Sequence, residues 1–122
     1  MSRSRVLLVD DDSRILRIVA AYLGGEGYEV LTATSGQAFL EQAFVARPDI
    51  VVLEMAMPGM DGVEACSRIR AQGLTAAVPV VMVAGEPRDD DIERAAAAGA
   101  NHLISKPFSL SGLGLVVRSL LA

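Results

Sequence analysis

Short apolar runs rich in β-branched residues alternate along the chain with stretches in which apolar residues recur every three or four positions. The runs are residues 6–9, 30–33, 50–53, 80–83 and 103–104. Their length and branching predict five strands. Between them, Ile15, Val19, Tyr22 and Leu23 recur at helical spacing, as do Leu40, Ala43 and Phe44, and then Val63, Cys66 and Ile69. An alanine-rich fourth helix is predicted over 92–98, closed by Gly99 as a residue suited to a left-handed helix end. A fifth is predicted over about 109–121, with Leu113, Val116, Val117 and Leu120 inward; Gly112 and Gly114 weaken its start.

Strands that read as unbroken apolar runs are buried on both faces, and alternating strands and helices achieve this by covering a parallel sheet on two sides. The expected fold class is therefore α/β: a (βα)5 doubly wound parallel five-stranded sheet. No repeat, low-complexity linker or composition break divides the chain, so residues 1–122 are expected to form one domain, either a small complete protein or a domain of a longer one.

Composition narrows the picture. At 122 residues with 52% apolar positions the chain can build a real core. None of its apolar runs is long enough to cross a bilayer. The start, MSRSRVLLVDDD, sets basic residues before an apolar stretch, but VLLV is too short for a signal-peptide core and runs into three aspartates. The single cysteine, Cys66, excludes an internal disulfide. It reads as a helix core residue, and with no export signal a cytoplasmic location is expected. The net charge of −4, with scattered Lys and Arg, argues against nucleic-acid binding by this domain.

Acidic residues do cluster, at Asp10, Asp11 and Asp12 and again at Asp89, Asp90 and Asp91. In an open parallel sheet the ligand crevice lies beyond the carboxyl ends of the strands, where the strand order reverses. The strand ends are Asp10, Asp11 and Asp12; Glu54; Ala84 and Gly85; and Ser105, Lys106 and Pro107. With the flavodoxin-like order 2-1-3-4-5, Asp10, Asp11 and Glu54 come together beside Lys106. Carboxylates this close disfavour one another's ionisation unless a cation intervenes, and hard oxygen ligands suit Mg²⁺. Asp10 and Asp11 are thus candidate metal ligands, whereas Asp12 and Ser13 sit where a helix cap is expected.

Four ordered motifs, VLLVDDD, PDIVVLEMAMPGMDG, VPVVMVAGEP and AGANHLISKPF, together resemble the receiver domain of bacterial two-component response regulators over almost the entire chain. The resemblance implies that Asp10 and Asp11 form the acidic pair, with Asp11 a direct Mg²⁺ ligand and Ala56 supplying a backbone carbonyl. It also implies that Lys106 is the pocket cation, that the Lys106–Pro107 bond is cis, and that the partners are a histidine kinase or a downstream effector. Homodimers are expected through the fourth helix, strand five and the fifth helix.

Three positions depart from the family pattern. Glu54 stands where receivers carry the phosphate-accepting aspartate, Ala84 where a Thr or Ser hydroxyl binds the phosphoryl group, and Leu103 where a Tyr or Phe switches. Glu54 advances its carboxylate by about 1.5 Å, toward the space a phosphoryl group would fill. Ala84 has no donor, and Leu103 has neither ring nor polar tip. The expectation is an atypical receiver, not an enzyme, that works through protein–protein contacts independently of phosphorylation and binds Mg²⁺ weakly if at all. The alternative is a regulator that still accepts phosphate. A remote one is a haloacid-dehalogenase-like phosphatase, which Asp10 and Asp12 match in spacing, though the hydroxyl such enzymes need is missing at Ala84. His102 is expected to be exposed, and Met55, Met57 and Met60 to pack the loop after strand three.

Overall fold

A computed structural model describes residues 3–122. Its ten elements strictly alternate: β1 (Arg5–Val9), α1 (Ser13–Gly25), β2 (Glu29–Ala33), α2 (Gly36–Ala46), β3 (Ile50–Glu54), α3 (Gly62–Arg70), β4 (Val80–Gly85), α4 (Asp89–Ala98), β5 (His102–Lys106) and α5 (Leu110–Leu121). The strands form one sheet in the order β2-β1-β3-β4-β5, and every neighbouring pair is parallel.

The strands' apolar runs are used on both faces, as their patterning requires. Leu7, Val9, Val51, Leu53, Val80 and Met82 face one core, together with Phe39, Cys66 and Ile69 of α2 and α3. Val6, Leu8, Ile50, Val52, Val81 and Val83 face the other, together with Leu16, Leu23 and Val117 of α1 and α5. Cys66 is a buried core residue whose thiol lies 3.3 Å from the Ala98 carbonyl. Burial pushes that thiol above its ordinary range, so it is an unreactive packing group.

Four helices start on a side-chain cap. Asp12, Ser35, Asp61 and Ser109 each accept a backbone N–H from the first turn, satisfying donors that helix geometry leaves free. At α4 the three aspartates Asp89, Asp90 and Asp91 fill the first turn, where negative charge is favoured. Asp91 also accepts the Arg88 N–H at 2.9 Å. The second acidic cluster is thus a helix start, and α4 begins three residues earlier than its apolar pattern implied.

Two expectations on the cores and one strand boundary are corrected. Phe44 is 53% exposed, and Phe39 fills the core position instead. Both lie at helical spacing from Ala43 or Leu40, so periodicity did not separate them. On α5, Val116 and Leu120 are only half-buried at the edge of the core that Leu113 and Val117 occupy. Strand β5 runs over five residues instead of two, because its edge position leaves one side open and its sequence correspondingly polar.

One side-chain clamp ties the two loops at the amino end of β4 and β5. Arg70 donates to the Gly99 carbonyl through Nε at 3.1 Å and Nη2 at 2.8 Å, and to Asn101 Oδ1 at 3.0 Å. Asn101 in turn accepts the Val80 N–H at 2.8 Å. Gly99 is left-handed at φ 100°, and a Cβ there would lie 2.8 Å from Arg70 Nε. Among the described residues no helix is long and apolar enough to cross a membrane.

Candidate functional site

The carboxyl edge of the sheet brings together Asp10 after β1, Glu54 at the end of β3 and Lys106 at the end of β5. Parallel pairing of β1 with both β2 and β3 puts Asp10 at the reversal of strand order. Its N–H is held by the Ala33 carbonyl at 3.2 Å. Asp10 and Glu54 are 6% and 5% exposed, the only buried carboxylates among the described residues. Such groups need partners.

Glu54 finds two. Its Oε1 forms an ion pair with Lys106 Nζ, and its Oε2 accepts the Ala56 N–H at 3.2 Å. Asp10 Oδ1 accepts the Asp12 N–H at 2.9 Å, and Oδ2 lies 3.3 Å from the same Lys106 ammonium. Burial raises the Asp10 carboxyl above its ordinary value, against the opposing pull of the Asp12 N–H and Lys106. For Lys106, burial would lower the ammonium, but the contacts with Glu54 and then Asp10 outweigh it, and the net shift is upward. The cluster is one lysine shared by two buried carboxylates, which leaves a net negative charge when both are ionised.

Other expected site residues are placed less centrally. Asp11 is exposed. Asp12 is engaged as the α1 cap, 2.9 Å from the Arg14 N–H. Ala84 is 5% exposed in the core. Leu103 is half-buried, paired in register with Met82 and packed on the core of α2, α3 and α4. The Lys106–Pro107 bond is cis. His102 is exposed, Met55 and Met57 are buried, and Met60 packs against them.

Among the described residues no three His, Cys, Asp or Glu side chains converge as a cation site. Both Glu54 oxygens have a partner, and Lys106 supplies one positive charge to the two buried carboxylates. Of the expected set, Asp10 and Glu54 share Lys106, Asp11 is exposed, and Ala56 donates its N–H to Glu54 Oε2; an ion taken here would be held by these carboxylates and the Ala56 carbonyl, and would have to displace Lys106 from Glu54.

Two features were not anticipated from sequence. Gly62 lets α3 start against β3: a Cβ there would collide with the Glu54 carbonyl oxygen and lie 2.9 Å from Met55 Cα. The signal was the Asp61-Gly62 pair opening a helix. The second is a groove of about 650 Å³ beside Lys106, bounded by Ile15, Ile18, Pro107, Phe108 and Leu110. Its walls come from α1 and the turn into α5, which no local pattern links.

A doubly wound sheet with a lysine-closed carboxylate pocket at its switch point defines a flavodoxin-like α/β domain of the receiver type. The chain belongs to the response regulator receiver domain family, whose sequence model matches residues 6–118, and so to the domains of two-component signalling. It is 32% identical over 117 residues to the alkaline phosphatase synthesis transcriptional regulatory protein PhoP of Bacillus subtilis, covering 96% of this chain and 48% of that protein. It is 34% identical to the DNA-binding response regulator MtrA of Mycobacterium tuberculosis, covering 96% and 50%. The chain thus spans about half the length of these curated relatives. The chemotaxis response regulator CheY4 of Vibrio cholerae superposes with a TM-score of 0.93 at 32% identity, covering 98% of this chain and all of that one.

Proposed function

We propose that this receiver domain signals through contacts of its surface without a phosphorylation switch, Glu54 occupying the position of the phosphoacceptor. The observation that carries the reading is the Glu54–Lys106 ion pair: the lysine that would hold a phosphoryl group is already bound by a carboxylate one methylene longer than aspartate. Two further positions support it. Ala84 offers no hydroxyl to an incoming phosphoryl group, and Leu103 is packed against the core, so neither can relay a change outward. In this reading residues 1–122 are a single, cytoplasmic, non-enzymatic domain. Its partners are signalling proteins or a second copy, engaged by α4, β5 and α5. Mg²⁺, if taken at Asp10, Asp11 and Glu54, is held weakly, because Glu54 must first release Lys106.

A second reading, that the domain still takes phosphate from a histidine kinase, is favoured by the retention of Asp10 and Lys106 in contact. Treatment of wild type and Glu54→Asp with acetyl phosphate and Mg²⁺, followed by intact mass, separates the two. One added phosphoryl group on Glu54→Asp and none on wild type is expected. Phosphate on wild type would overturn the proposal.

A further inference from the structure

At the edge of the sheet opposite the pocket, Arg3, Arg5, Glu29, Arg47 and Asp49 line a polar cavity of about 400 Å³. They come from the segment before β1, the starts of β1 and β2, and the turn between α2 and β3. Arg5 is fixed on three sides. Its Nε donates to Glu29 Oε2 at 2.5 Å, its Nη1 to the Ala46 carbonyl at 2.7 Å, and its backbone N–H to Asp49 Oδ2 at 2.7 Å. Both carboxylates of the cavity therefore already have a donor from Arg5. Arg3 and Arg47 form no ion pair among the described residues.

Arg47 stands in the left-handed region, at φ 49° and ψ 65°, where it ends α2 through a bond from its N–H to the Ala43 carbonyl. Glycine or asparagine serves that position best. The bond uses only backbone, so the helix end gives no reason for a guanidinium there. Three guanidiniums against two carboxylates leave a positive surplus in a chain of net charge −4.

The geometry points to a binding site for a phosphate-class oxyanion in this cavity, taken by the Arg3 and Arg47 guanidiniums that line it beside the Arg5–Glu29–Asp49 clamp. Guanidinium forks present paired N–H donors that match tetrahedral oxyanions. The two carboxylates select within that class. A hydrogen phosphate or phosphate monoester carrying a proton can donate to Glu29 or Asp49, whereas sulfate has no proton to give and meets repulsion from those two carboxylates. Such a ligand would join the segment before β1 to the turn entering β3.

The test follows backbone amide shifts and the thermal midpoint of wild type during titration with inorganic phosphate, a nucleoside monophosphate and phosphatidic-acid vesicles. Sulfate and chloride at matched ionic strength are the controls. Saturable shifts at Arg5, Arg47 and Asp49, at least tenfold tighter for a phosphate than for sulfate, are expected, and the probe that binds tightest identifies the source. Arg47→Gly, which suits the left-handed backbone, should keep the wild-type midpoint and lose the saturable response; Arg3→Ala should weaken it. Equal responses to sulfate and phosphate, or an unchanged response in both variants, would overturn the proposal.

Discussion

Lys106 reaches across β4 to bind Glu54. The two residues end β5 and β3, and the strand between them pairs Val83 with Glu54 and Gly85 with Lys106. β4 therefore ends under the bridge in Ala84 and Gly85, a methyl group and a hydrogen, so no side chain from it competes for the ammonium.

This bridge makes Lys106 a stability residue. Truncating one partner of a fully buried pair costs about 3–5 kcal/mol; with the Lys106 side chain 27% exposed, about 1–2 kcal/mol is expected for Lys106→Met. Adding Glu54→Gln should restore part of the loss, because the orphaned charge is then gone. Denaturant titration of both singles and the double checks it; strictly additive effects would mean that the pair is not coupled.

The pH dependence has two arms. The Asp10 carboxyl is raised above 3.8, so the folded state binds its proton more readily than the unfolded state, and Asp10 costs stability at neutral pH that is recovered as pH falls through its folded value. Asp10→Asn should therefore gain on wild type more at pH 7 than at pH 3.5. Lys106 is raised above 10.5, so its contribution is complete below that pH and is lost as pH climbs through the folded value. Lys106→Met should flatten that alkaline loss in thermal melts.

Metal affinity is expected to be no tighter than millimolar for wild type, since both Glu54 oxygens are engaged. Glu54→Asp should bind Mg²⁺ more tightly in a calorimetric titration. Sub-micromolar binding by wild type would contradict the arrangement described.

Gly62→Ala should destabilise the fold by about 1–3 kcal/mol through overpacking, since the added methyl must displace the β3 backbone at Glu54 or Met55. Urea midpoints report the loss. A neutral result would show that α3 can shift away freely.

Association through the α4-β5 face is best probed at Ile92, which is 49% exposed. Ile92→Asp should weaken self-association or partner binding in sedimentation without lowering stability. Leu103→Asp, by contrast, would bury part of a charge in the core and cost about 2 kcal/mol or more, so an effect on association there would not isolate the interface.

The five strands and the residues at their ends were legible in the sequence because a two-sided core demands continuous apolar runs; their order came from likeness to the flavodoxin-like fold. What escaped reading was set by packing between distant segments. Phe39 and Phe44 carry the same side chain on one helix, and which is buried depends on which face of α2 meets the sheet, the one carrying Gly36, Phe39 and Ala43. The engagement of Glu54 by Lys106 was likewise invisible: sequence placed a lysine near three acids but not which oxygen it would bind, nor that Asp11 would remain outside.

The Arg70 clamp fastens one end of α4 more firmly than the other. At its carboxyl end, the helix is fastened where Gly99 receives two guanidinium bonds and Asn101 links onward to Val80. Toward its amino end, the side-chain ion pair that leaves the helix is Arg94 to Asp61 at 3.6 Å, since the Arg94–Asp91 pair lies within α4. A helix tethered so unequally is a lever with its fulcrum at Gly99. Thermal excursions then grow toward Asp89, and amide exchange should quicken along the helix from Ala98 back to its first turn.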